Sequence, residues 1–211
     1  MPIDAIKSSA SNPASGTLET VTLRRATAAD APALALTGAA TFLEAFTWML
    51  PGADIVAHAL KNHTAEAYAH YLDDPNTRIT LAVSGSPVVF PNEPGSVVGY
   101  AMVCTPDLPT IDVLPTDLEL KRIYLFSRFR GAPVLRADGR PISDLRPAQA
   151  LMDCAFADAR DLGATRLLLG THAENARAIA FYHRNGFIEV GTRTFQVGKQ
   201  QCCDLILARQ L

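Results

Sequence analysis

The chain switches between two hydrophobic periods, about two residues and about 3.6, and the switches divide it into elements. Residues 21–25, V-T-L-R-R, alternate as a strand; beyond Asp30, placed to cap, Ala35, Ala39, Phe42 and Phe46 recur at helical spacing. Pro51-Gly52 breaks that helix, residues 55–60 predict a second, and Thr64 with Glu66 opens a third that ends near Asp73-Asp74-Pro75. The β-rich runs 78–83 and 97–104, joined by the Gly- and Pro-bearing segment 84–95, predict an antiparallel hairpin with a long loop.

A third long strand covers 118–126, and a helix covers 147–162, with Pro147 in its first turn and Gly163 just past its end. A short apolar strand at 166–169 follows, then a helix over 175–185 stopped by Gly186, then strands at 187–191 and 202–208. This order predicts one mixed α/β domain on a single sheet over residues 21–211. Residues 1–20 hold few large apolar groups and are expected to form a disordered tail outside the fold.

Composition narrows the partners. With 211 residues, 48% of them hydrophobic, one substantial core is expected, and a net charge of −2 supplies no basic field for nucleic acid or a membrane surface. Cys104, Cys154, Cys202 and Cys203 show no metal-ligand spacing, so neither a metal site nor a disulfide framework is expected. Reduced thiols and the lack of a signal pattern point to a cytoplasmic protein.

Two stretches carry candidate chemistry. Residues 175–187 read N-A-R-A-I-A-F-Y-H-R-N-G-F, which puts Asn175, Ala178, Ile179 and Tyr182 on one helix face. An N-cap, a core tyrosine and a glycine stop would account for the same residues. Residues 119–131 read E-L-K-R-I-Y-L-F-S-R-F-R-G, a strand running into an Arg/Gly loop, and the next helix start offers free N–H groups to an anion.

In these two motifs, taken in order, the chain resembles the GCN5-related N-acetyltransferases. The segments T-F-L-E-A-F (41–46) and T-F-Q-V-G-K-Q-Q-C-C-D-L-I-L (194–207) are similar to those of bacterial spermine/spermidine acetyltransferases. The resemblance implies a mostly antiparallel mixed sheet, flanked by helices, whose fourth and fifth strands splay apart near Phe126 and Gly170. It also implies acetyl-CoA as co-substrate and a small primary amine, such as a polyamine, as acceptor. A peptide or protein acceptor, or a catalytically weak acetyl-CoA-binding module, is the alternative, and a homodimer is expected through an exposed C-terminal strand.

Site roles follow from the same resemblance. Ile123, Tyr124 and Leu125 would bond the pantetheine arm and thioester. Arg128, Arg130 and Gly131, with the helix start Ala148, Gln149 and Ala150, would hold the pyrophosphate; Asn175 and Ala178 would also contact the cofactor. Tyr182 would sit by the sulfur and protonate the departing thiolate, Glu119 would be the base, and Glu44, Phe46 and Trp48 would form the substrate lip. Alternatively, Glu119 is a solvated carboxylate and water serves as base. The pattern departs from the family in the loop, where about a dozen residues are inserted near 132–147 and Arg146 stands at a usual glycine. Asp138-Gly139 predicts a hairpin turn there, flanking the phosphates with arginines or standing free in solvent.

Overall fold

The computed structural model describes residues 19–85, 95–197 and 200–211, the side chains of 195–197 and 200 excepted. Most of the tail expected at 1–20, and of the loop expected at 84–95, therefore lies outside the described residues. The elements run β1 (Val21–Arg25), a 3-10 turn (Ala28–Asp30), α1 (Ala31–Phe46), α2 (Gly52–Asn62), α3 (Ala65–Asp73), β2 (Arg78–Ser84) and β3 (Ser96–Cys104). They continue with β4 (Asp117–Leu125), a 3-10 turn (Ser127–Phe129), α4 (Pro147–Asp161), β5 (Arg166–His172), α5 (Ala176–Arg184), β6 (Ile188–Val197) and β7 (Gln200–Gln210).

One seven-stranded sheet has the order β1-β2-β3-β4-β5-β7-β6, antiparallel except between β4 and β5. Strand alternation sorts its side chains between two helical layers. Ile79, Leu81, Tyr100 and Met102 meet Leu34 of α1 and Tyr68 of α3 on one face, while Ala82, Ala101 and Val103 meet Leu151, Met152 and Ala155 of α4 on the other. Burial on both faces explains why β2 and β3 read as near-continuous apolar runs. Arg25 reaches from β1 across that second face to the buried Asp158 of α4, which also accepts from Thr80 Oγ1 at 3.3 Å.

Two expectations are corrected. Asp30 stands at the start of α1 but does not cap it; its carboxylate accepts from Thr27 N at 2.8 Å and pairs with Arg24, closing the preceding 3-10 turn instead. The C-terminal strand is no edge: β7 lies between β5 and β6, because the last two strands form a hairpin far longer than their apolar runs suggested, and β6 takes the edge. Thr64 does cap α3, accepting from Ala67 N at 3.1 Å.

Candidate active site

β4 and β5 are clamped at one end and open at the other. Their ladder consists of Asp117–Arg166, Leu118–Leu167 and Glu119–Leu168, after which β4 runs on to Leu125 and β5 to His172 without pairing. The splay therefore begins earlier than Phe126 and Gly170. The fully buried Asp117 carboxylate fixes the closed end by accepting from Arg166 Nε at 2.9 Å and Leu114 N at 2.7 Å. Burial works against its charge, but those two donors outweigh burial and hold the carboxyl below its usual range.

Beyond the clamp, β4 turns backbone groups into the gap. Phe126 N–H bonds Val98 O at 3.0 Å, so by alternation Tyr124 also faces β3, while Ile123 and Leu125 point their N–H and C=O groups toward the side that β5 has left. A bulge sets the side-chain faces. Met102 pairs with Arg122 and Val103 with Leu120, leaving Lys121 as an extra residue. Leu118 and Leu120 before the bulge, and Ile123 and Leu125 after it, all join the α4 layer, so Glu119, Arg122 and Tyr124 share the opposite face.

Asn175 N-caps α5, its side chain accepting from Ala178 N at 3.2 Å, and Gly186 at φ +79° ends the helix in the left-handed conformation that glycine tolerates. One helical face then carries Tyr182 into the core with Leu120, Leu125 and Leu169, beneath the splay. Burial, then the neighbouring Tyr124, push the Tyr182 hydroxyl well above its usual pKa, so it stays protonated at neutral pH. Among the described residues none hydrogen-bonds that hydroxyl.

Glu119 sits where the splay begins and is 2% exposed; its carboxylate accepts from Asp107 N at 2.9 Å and Lys121 Nζ at 3.3 Å. It is buried rather than solvated. Of the expected lip, Glu44 instead binds Ser127 at its N (3.0 Å) and Oγ (2.6 Å), closing the turn after β4. Phe46 packs on Phe42 with centroids 4.5 Å apart, and Trp48 is 64% exposed with its Nε1 donating to Ala45 O at 2.8 Å.

The basic loop is partly rebuilt by side chains. Arg146 donates to Gly131 O at 2.8 Å, joining the two ends of the insert, and Arg128 pairs with Glu19. Arg130 is half-buried; burial and then the nearby Arg177 lower its pKa, though not enough to discharge a guanidinium. At the start of α4, Ala148 and Gln149 have N–H groups that no helical carbonyl can reach, whereas Ala150 N is taken by Arg146 O at 2.9 Å. The Gln149 side chain points elsewhere, donating to Asn185 Oδ1 at 2.8 Å. The insert does form the predicted hairpin, with Gly139 N on Arg136 O at 2.9 Å, and it docks on the sheet: Val21 N bonds Pro133 O at 2.9 Å and Leu135 N bonds Val21 O at 2.8 Å. It is not free in solvent along this edge.

Sequence reasoning missed a second cluster, on the α1–α3 side of β4. His63 Nδ1 lies 2.8 Å from Tyr68 Oη, which hydrogen-bonds Tyr100 Oη, and Arg122 stacks 5.2 Å over the Tyr68 ring. Tyr124 adjoins both Tyr100 (5.6 Å) and His63 (6.0 Å). Gly38 of α1 makes this packing possible, because a Cβ there would overlap His63 Nδ1 and Tyr68 Oη. Burial, with Arg122 and His58 adding to it, lowers the His63 pKa to about 3, and burial raises Tyr124 to about 12. No spacing in the sequence links these residues.

The sheet is open, and its one parallel pair parts beside the buried Tyr182 and the Asn175-capped helix. The family model described as "Acetyltransferase (GNAT) family" matches residues 148–187. An uncharacterized N-acetyltransferase from Mycobacterium tuberculosis is 32% identical over 182 residues, covering 86% of this chain and 98% of its own. In fold, the chain is similar to the PaiA N-acetyltransferase of Thermoplasma acidophilum in complex with coenzyme A: TM-score 0.65, 14% identity, 90% of this chain and 99% of that one. It is likewise similar to a GCN5-related N-acetyltransferase from Rhodopseudomonas palustris, with TM-score 0.61 at 15% identity, over 93% and 99% of the two chains. The chain belongs to the GNAT family, and with it to the acetyl-CoA-dependent acyltransferases. No helix among the described residues is long and apolar enough to cross a membrane.

Proposed function

We propose that the protein transfers an acetyl group from acetyl-CoA to a primary amine of a small molecule, by direct attack within a ternary complex. The observation that carries this is the early end of the β4–β5 ladder at Glu119–Leu168, which leaves the Ile123 and Leu125 backbone groups unpaired above Tyr182. Bound acetyl-CoA supplies the activated acetyl thioester, and the free N–H groups of Ala148 and Gln149, with Arg128, Arg130 and Arg146 near them, suit its phosphates.

The chain's residues divide the remaining work. Leu125 N–H is placed to stabilise developing negative charge on a carbonyl oxygen, a kind of donor worth roughly 3 kcal/mol. An amine that is charged at neutral pH must lose a proton before it attacks, and Glu119, on the same strand and face as Tyr124, is the base. Tyr182, held protonated, gives its proton to the leaving sulfur. Asn175 orients the cofactor from the start of α5. Free thiols at all four cysteines suit a reducing cytoplasm. A homodimer would form through β6, the edge strand beside β7, where Ile188 and Val190 are exposed.

The test is thiol release from acetyl-CoA in the presence of polyamines, amino acids, simple alkylamines and short peptides. Turnover of one or more small amines is expected. Turnover of peptides alone removes the small-molecule reading, and no turnover with measurable coenzyme A binding leaves only a binding module.

A further inference from the structure

Two buried donors on the α1–α3 side of β4 have no partner among the described residues: His63 Nε2 and Arg122 Nη1. His63 is 6% exposed. Arg122 uses its other terminal nitrogen on Asn62 O at 3.3 Å and stacks over Tyr68 and Tyr71 at 5.2 and 5.5 Å, yet no carboxylate among the described residues pairs with it. Leaving a cation and an N–H unpaired inside a protein is unfavourable, so the pair invites an oxygen ligand, and an anionic one best.

The hydrogen-bond chain fixes which proton His63 offers. Tyr100 Oη has Tyr68 Oη as its partner, so its hydrogen goes there; Tyr68 then donates to His63 Nδ1, and the ring hydrogen is left on Nε2. The opposite order would strand the Tyr100 hydrogen. Both orphaned groups are therefore donors, one of them charged.

We propose that His63 and Arg122 anchor an acidic oxygen group on the acceptor, so that the substrate is a short amine bearing a carboxylate rather than a polyamine. This rests on the acetyl-transfer reading above and narrows it. Arg122 and Tyr124 share one face of β4, two residues apart and next to the unpaired stretch of the strand, so an acid held by the guanidinium keeps a short amine on the side of the splay. A polycation would instead meet an uncompensated guanidinium. The anchor is closed to solvent by the end of α2, where Asn62 O accepts from Arg122 at 3.3 Å, and an acidic oxygen of the acceptor takes over that long bond.

The experiment compares matched amines with acetyl-CoA: 4-aminobutyrate against propylamine, β-alanine against ethylamine, with spermidine and 3-aminopropylphosphonate alongside. The acid of each pair is expected to show kcat/KM roughly 100-fold above its decarboxylated partner, and His63→Phe and Arg122→Lys each to shrink that ratio roughly tenfold, chiefly through KM for the acid. Coenzyme A calorimetry and melting temperature on the same variants show whether they are folded. A stronger preference for the phosphonate supports the anchor and assigns it to a phosphate-type group. Equal turnover of propylamine or spermidine, or folded variants that keep the full ratio, overturns it. A melting shift with 4-aminobutyrate but not propylamine scores the anchor without turnover, so its failure is separable from failure of acetyl transfer itself.

Discussion

The two sides of β4 are built from different materials. Toward β5, the splay itself is lined by neutral, mostly backbone groups, unpaired Ile123 and Leu125 amides, an N-cap amide and one protonated phenol, and the arginines lie in the loop beyond it. Toward α1–α3, the groups are ionisable side chains: Arg122, His63, Tyr68 and Tyr100 packed against one another, with Glu119 further along the same face of β4, held by Asp107 N and Lys121. Backbone donors are fixed by the sheet and cannot vary with sequence, which suits the acetyl-CoA of the proposed reaction. Side chains can be exchanged singly, which suits an acceptor that differs from one enzyme to the next.

If the backbone side depends on the clamp, Asp117→Ala should have the largest effect. It strands Arg166 beside a buried vacancy, and removing one partner of a buried pair costs about 3–5 kcal/mol, read as a lower midpoint in urea unfolding. An unchanged midpoint would mean that the strands are held elsewhere. Next, Tyr182→Phe should lower kcat by about 100-fold with little change in coenzyme A affinity measured by calorimetry. Equal losses in both would make the tyrosine a packing residue.

The side-chain face should respond to pH where the backbone face does not. Because the folded pKa of His63 is lowered to about 3 from an unfolded value near 6.5, its neutral form stabilises the fold above pH 6.5, and that contribution is lost as the pH falls toward 3. Between pH 8 and pH 5 the loss amounts to about 2 kcal/mol, and His63→Phe should flatten the stability profile by that amount. The smallest effect is expected at the loop: Arg146→Ala removes the bond to Gly131 O and should raise KM for acetyl-CoA about threefold, leaving acceptor KM alone.

Legibility in the sequence follows the same divide. Asn175, Tyr182 and Gly186 fall within one short helix, so cap, face and stop could be read together, and 119–131 likewise carries its strand and loop in one run. His63, just past α2, and Tyr68, Tyr100 and Arg122, from α3, β3 and β4, meet only when helices cover the sheet, so no local pattern announces them. The sequence puts the splay later than it falls, because apolar runs reveal that two strands exist and not where a parallel ladder stops. Position along the chain suggests a lip role for Glu44, and its side chain binds the Ser127 turn, a contact that depends on how α1 lies across β4.

The extra residue at Lys121 gives β4 two allegiances. Up to Leu120 the strand keeps one parity and from Arg122 onward the other, so a guanidinium and a phenol reach the α1–α3 face without forfeiting the isoleucine and leucine that seat α4. Taking Lys121 into a regular ladder, with the bulge ironed out, would exchange them, driving charge into the apolar layer and oil onto the α1–α3 face, so the seat of α4 and the polar cluster would fail together.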